Sequence, residues 1–107
     1  MSRENSVDLT GIVDSHPELK ILRGHGHMPV VDFDLVVEQQ RIPCSAFRDM
    51  ATTVSRTVRK GQIVSLRGSL YTYPIAGKNG SCVRLAVRVD NIAVGEGEKK
   101  PSVYDIV

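Results

Sequence analysis

The chain contains no tryptophan, no apolar run near the length of a membrane span, and almost no surplus of charge of either sign. Each absence excludes something. Without about 20 consecutive apolar residues there is no transmembrane helix to expect. The start Ser2-Arg3-Glu4-Asn5 is polar and lacks the apolar stretch of a signal peptide, so a cytoplasmic protein away from membranes is expected. With 14 Lys and Arg against 12 Asp and Glu, the net charge is only +2. Any attraction to a polyanion must therefore come from where the cations sit, not from an overall basic field. Only two cysteines occur, Cys44 and Cys82. Each falls within an apolar strand pattern and they lack C-x-x-C spacing, so both are expected as buried free thiols rather than a disulfide or zinc site.

Catalytic signals are equally sparse. His25 and His27 lie one residue apart in the run Gly24-His25-Gly26-His27, but no cysteine or carboxylate stands at an established zinc spacing to complete a site. No glycine-rich phosphate loop precedes a helix. The expectation is a protein that is not an enzyme and uses no metal or cofactor.

What the chain does have is period-two alternation. At 107 residues it fits one domain, taken as residues 1–95, followed by a short polar tail at 96–107. A first strand over Val7 to Asp14 sets Val7, Leu9, Gly11 and Val13 on one face. His16-Pro17 interrupts it, and Leu19 to Leu22 continues as a short extended piece. A second strand over Val30 to Glu38 turns Val31, Phe33, Leu35 and Val37 one way and Asp32 and Asp34 the other. After a short reversal at Glu38-Gln39-Gln40, a third strand from Arg41 to Phe47 alternates Ile42, Cys44 and Ala46 inward. Met50, Ala51, Val54 and Val58 then recur at helical spacing. Arg59 and Lys60 suit the C-terminal end of that helix, and Gly61 is expected to cap it. The fourth strand, Gln62 to Tyr73, is expected to bury Val64, Leu66 and Leu70, with Gly68 marking a bend or bulge. Gly77-Lys78-Asn79-Gly80 forms a turn. The fifth strand, Cys82 to Ile92, alternates Val83, Leu85, Val87 and Val89 inward. The sum is an all-β chain of five strands with one short helix between the third and fourth, the layout of an OB-fold barrel.

Barrel closure leaves the opposite strand face to solvent or a partner. Arg41, Phe47, Arg67, Tyr71, Tyr73, Arg84 and Arg88 fall there, and Lys78 lies in the adjoining turn. Rings interleaved with cations suit single-stranded nucleic acid, because bases stack on rings while cations track phosphates. The alternative is that the tyrosines are ordinary strand residues and the arginines a solvated face. Phe47 fits either a stacking surface or a core cap beside the helix.

The runs Phe47-Arg48-Asp49-Met50-Ala51, Arg59-Lys60-Gly61-Gln62 and Val64-Ser65-Leu66-Arg67-Gly68-Ser69-Leu70 resemble the bacterial single-stranded DNA-binding protein (SSB) family. That family shows F-G-K-L-A, L-x-K-G and V-x-V-x-G-x-L at matching distances. The opening Leu9-Thr10-Gly11 with His16-Pro17-Glu18-Leu19 resembles its L-x-G-x-x-x-x-D-P-E-x start, and the resemblance runs from about Val7 to Val94. It implies an OB-fold that self-associates and wraps single-stranded DNA without sequence specificity. The chain departs from the family in lacking its tryptophans, whose places fall near the Glu38–Arg41 reversal, on Arg41 and on Ile75; of the stacking set only Phe47 stays aromatic. Tyr71 and Tyr73 stand where the family often has basic residues. The end Tyr104-Asp105-Ile106-Val107 is a faint echo of the family's acidic tip, so recruitment of partners through it is not expected. The partners implied are single-stranded DNA and a second copy of the chain, as dimer or tetramer. The size and architecture also look like PriB-type replication-restart factors, which would bring restart proteins as partners. A third reading is an oligomerisation scaffold with little nucleic-acid binding, favoured by the outward Asp32 and Asp34.

Overall fold

A computed structural model describes residues 4–77 and 80–95. The order is β1 (Val7–Val13), β2 (Glu18–Leu22), a 3₁₀ turn (Arg23–His25), β3 (Met28–Val37), β4 (Gln40–Phe47), α1 (Asp49–Thr57), β5 (Ile63–Gly77) and β6 (Gly80–Val94). The fold is mostly β with one helix, as expected, but six strands replace the expected five. The extra one is β2, the short extended piece, whose five residues all pair with β3, Glu18 opposite Asp32 through Leu22 opposite Met28. The helix consequently follows the fourth strand rather than lying between the third and fourth. Periodicity understates β2 because every one of its residues is exposed. Its strand character comes from backbone pairing to β3, after Gly26 and His27 turn the chain back with φ of 72° and 60°.

The sheet runs β1-β5-β6-β4-β3-β2, and β1 also pairs with β3 through Ile12–Val36 and Val13–Leu35. The pairings β1-β5-β6-β4-β3-β1 thus close a ring, with β2 hanging from β3 at its margin. Ring closure depends on a short parallel pairing of β4 with β6, Cys44 to Val87 and Ser45 to Arg88. Inside it, Val13, Val31, Phe33, Leu35, Cys44, Ala46, Val64, Leu66, Val87 and Val89 form the core. Ala51, Val54 and Val58 of the helical stripe are buried in the same cluster, with Met50 packed against it.

The helix does not end on Gly61. Val58 leaves it in extended conformation, φ −101° and ψ 131°, while its N–H still bonds the Val54 carbonyl at 2.9 Å. Extending there keeps Val58 fully buried. Gly61, at φ 95°, instead serves the next turn, closed by the Gln62 N–H to the Arg59 carbonyl at 3.2 Å. The Arg59 guanidinium does meet the helix C-terminus, donating to the carbonyls of Ser55 and Val58 at 3.1 and 3.0 Å, where a cation complements the dipole.

Strands β5 and β6 are each 15 residues long, more than the expected spans. Their register shifts at Arg67/Gly68, with Arg67 opposite Asn91 and Gly68 opposite Val89, so Asp90 is the extra residue of a β-bulge. A Cβ on Gly68 would run into the Arg88 carbonyl oxygen, which explains the glycine the sequence places there. Past the bulge the hairpin continues as a two-stranded arm beyond the core. Leu70, Val83 and Leu85, all expected to be buried, are therefore 40%, 66% and 55% exposed. Alternation assigned their face correctly; none of the described residues covers that face. Cys82, expected to be buried, is exposed on the same arm, whereas Cys44 is buried and its thiol is pushed up to about 12 by that burial.

Candidate functional site

The outward face of β2, β3, β4, β5 and β6 forms a groove of about 630 Å³. Pairing registers place its side chains in transverse rows. One row runs Ser69, Arg88, Ser45, Asp32, Glu18; the next sets Tyr71 beside Ala86 and Phe47 beside Val30 and Lys20; a third sets Tyr73 beside Arg84. All three rings fall in the groove lining. Phe47 meets Tyr71 edge to face with centroids 6.1 Å apart, and Tyr71 meets Tyr73 at 5.9 Å with planes tilted by 35°. Phe47 belongs to this row and not to the buried core cluster.

A hydrogen-bond chain fixes the middle ring. The Tyr71 hydroxyl donates to Ser45 Oγ at 2.9 Å, and Ser45 Oγ donates to Asp32 Oδ1 at 2.7 Å. Ser45 is the one buried polar side chain among the described residues, 7% exposed, and both of its bonds stay within this chain. Partial burial raises the Tyr71 pKa above its usual value, outweighing the opposing effect of the Ser45 hydrogen bond, while the Asp32 carboxylate adds to the rise. The phenol accordingly keeps its proton at neutral pH and acts as the donor.

The arginines do not gather as the sequence suggested. Arg84 lines the groove next to Tyr73. Arg88 is one row away, with Nε 3.7 Å from Asp90 Oδ1. Arg41 is held between Asp14, at 2.5 Å, and Asp34, at 3.4 Å. Arg67 lies apart from the rings, in a separate hollow with Asp8, Thr10, Ser65 and Asn91. It pairs with Asp8 at 2.7 Å, and this hydrogen bond lowers the Asp8 pKa and raises that of Arg67. Lys78 lies outside the described residues.

Sequence reasoning missed the far wall of the groove. Glu18 and Lys20 line it from β2, and Lys20 Nζ reaches Asp32 Oδ2 at 3.5 Å with both side chains about half exposed. The signal was present: once Glu18–Leu22 is read as a strand antiparallel to β3, Lys20 falls opposite Val30 and beside Asp32. Ser45 carried no such signal, because a serine on an outward strand position reads as solvated. Among the described residues no group of three or more His, Cys, Asp or Glu side chains is placed to hold a metal ion, and no helix is long and apolar enough to cross a membrane.

Comparison with known proteins locates this architecture. No family model and no curated protein matches the chain. Among solved structures, the SSB domain of a Synechococcus sp. protein superposes with a TM-score of 0.69 at 18% identity, covering 86% of this chain and 97% of that one. The likeness is one of fold, and in fold the chain is SSB-like.

Proposed function

We propose that the chain is a non-enzymatic, single-stranded DNA-binding protein, an OB-fold barrel that works as an oligomer in replication, recombination or repair. The observation that supports it best is the contiguous row of Phe47, Tyr71 and Tyr73 in a groove with Arg84 at its end. Stacking on such rings is indifferent to sequence because every base has a π-face, and each stacked base is worth about 1–3 kcal/mol. Arg84 and Arg88 serve as the phosphate contacts, with Lys78, outside the described residues, proposed from the sequence as a third. Arg41 and Arg67, tied to carboxylates, contribute less than their position in the sequence suggests. The oligomer part rests on the edge of β1 over Val7–Gly11 that no described strand pairs, and on the exposed Leu70, Val83 and Leu85.

Fluorescence anisotropy with labelled oligo(dT), titrated with salt and challenged with duplex DNA and single-stranded RNA, tests the binding. Tight, salt-sensitive binding that duplex fails to displace is expected; preference for duplex discards the reading. Sedimentation at micromolar concentration is expected to show a dimer or tetramer, and a clean monomer removes the oligomer. One observation favours a second reading, a scaffold with little nucleic-acid binding. The groove lining holds Glu18, Asp32 and Asp34 against Lys20 and Arg84, which is a poor electrostatic surface for phosphate. Absence of binding at low salt would select that reading.

A further inference from the structure

The carboxylates that make the groove a poor phosphate channel are well placed for a different part of a nucleic acid. Asp32 stands two hydrogen bonds from the Tyr71 phenol, through the buried Ser45, so its position relative to the ring is fixed by the fold. Its Oδ1 is occupied by Ser45. Among the described residues its Oδ2 is engaged by Lys20 alone, at 3.5 Å in a half-exposed pair, and an ion pair of that length and exposure is weak and displaceable. A carboxylate oxygen accepts hydrogen bonds and donates none. Beside a stacking ring it is placed to meet the edge of a stacked base, where it favours an exocyclic amine over thymine, whose one ring donor, N3–H, is flanked by two carbonyl oxygens that repel a carboxylate. An acidic side chain accepting from the N4 amine of cytosine is an established pairing.

Resting on the single-strand reading above, we propose that Asp32, oriented by Ser45, is a specificity-determining acceptor that makes the Tyr71 stacking position favour cytosine over thymine. Binding exchanges partners: the base amine takes Asp32 Oδ2, and the released Lys20 ammonium turns to the phosphate that accompanies the base. In the exchange the Lys20 ammonium gains a phosphate, while the half-exposed Asp32 carboxylate keeps two neutral donors, the Ser45 hydroxyl and the base amine, and the acidic groove floor acquires a role that phosphate tracking alone does not give it. Ser45 is a positioning residue, acting through Asp32 and Tyr71 without touching the nucleic acid.

The test compares short oligo(dC) and oligo(dT) of equal length at one salt concentration, by anisotropy, for the wild-type protein and for Asp32→Asn and Ser45→Ala. The wild type is expected to bind oligo(dC) about five- to twentyfold more tightly, in line with the discrimination of one good base-edge contact. Asp32→Asn, nearly the same shape, is expected to collapse that ratio towards one. Ser45→Ala is expected to reduce it, because the carboxylate is no longer held. The ratio is a readout that general loss of fold does not reproduce, and melting curves on the same samples check folding. Equal wild-type affinity for the two oligonucleotides, or tighter oligo(dT) binding, overturns the proposal while leaving the single-strand reading intact. So does an unchanged ratio in a folded Asp32→Asn variant. Binding of neither oligonucleotide at low salt overturns both.

Discussion

Truncating Tyr71 and Tyr73 separates a ring that supports the fold from a ring that serves mainly a ligand. Tyr71 touches Phe47 and Tyr73 and donates a hydrogen bond to Ser45. Aromatic pairs contribute about 0.5–1.5 kcal/mol each beyond burial, and a hydrogen bond about 1 kcal/mol net. Tyr71→Ala forfeits two such pairs and one such bond and leaves the buried Ser45 without its donor, so a loss of about 2–4 kcal/mol in unfolding free energy is expected. Tyr73→Ala forfeits one ring pair and no hydrogen bond among the described residues, so about 0.5–1.5 kcal/mol is expected. Both rings are half-exposed to the groove, and each truncation is expected to weaken oligo(dT) binding by about 1–3 kcal/mol if its ring stacks on a base.

Urea unfolding and anisotropy on the same preparations read the two quantities independently. Tyr71→Phe completes the set: it keeps the ring, loses the bond to Ser45, and is expected to cost about 1 kcal/mol of stability with little change in oligo(dT) affinity. The reasoning is refuted if Tyr73→Ala destabilises the fold as much as Tyr71→Ala, or if both alanine variants fold and bind like the wild type. The second result would leave Phe47 as the remaining ring of the row to test.

Three further outcomes are expected. Arg84→Ala lowers the magnitude of the salt slope by about 0.7 log unit per log salt, whereas Arg67→Ala, already paired with Asp8, leaves it nearly unchanged; equal effects would place the DNA path across the Arg67 hollow. Gly68→Ala destabilises by about 1–3 kcal/mol, because its methyl group meets the Arg88 carbonyl at the bulge, and a wild-type urea midpoint would contradict that close approach. Cys82 reacts rapidly with a disulfide reagent at pH 8 while Cys44, buried with its pKa near 12, reacts only on unfolding; two fast thiols would contradict the placement of Cys44.

Much of the architecture was legible because alternation records which side chains share a face. Val31, Phe33 and Leu35 in β3, and Val64 and Leu66 in β5, are buried as the pattern requires. The glycine interrupting β5 was legible for the same kind of reason: a missing side chain in an apolar row marks a place where backbones approach. The exposed Val83 and Leu85 were not legible, because the pattern continues unchanged along the arm after the core has ended. Strand β2 was illegible as a strand because an edge is held by pairing rather than burial. The candidate site divided along similar lines. The outward parity of Phe47, Tyr71 and Tyr73 follows from local alternation, but the loss of Arg41 and Arg67 to ion pairs depends on partners distant in sequence. Asp8 is 59 residues from Arg67, and only the β1–β5 register brings them together.

These pairings change what the net charge means. A charge of +2 spread evenly would leave the groove weakly cationic, yet three of the four arginines assigned to the outward face meet aspartates, Arg41 and Arg67 closely and Arg88 more loosely at 3.7 Å. Among the described residues the cation remaining beside the rings is Arg84, with Lys20 on the opposite wall facing Asp32. On the single-strand reading proposed above, affinity in such a groove would rest on stacking and base-edge contacts more than on phosphate attraction, so binding should stay salt-sensitive with a slope shallower than the number of arginines would give. A groove that relies on base edges has reason to fix its acceptor. The buried Ser45, spending both of its hydrogen bonds on holding Tyr71 and Asp32 at a set separation, supplies that fixing.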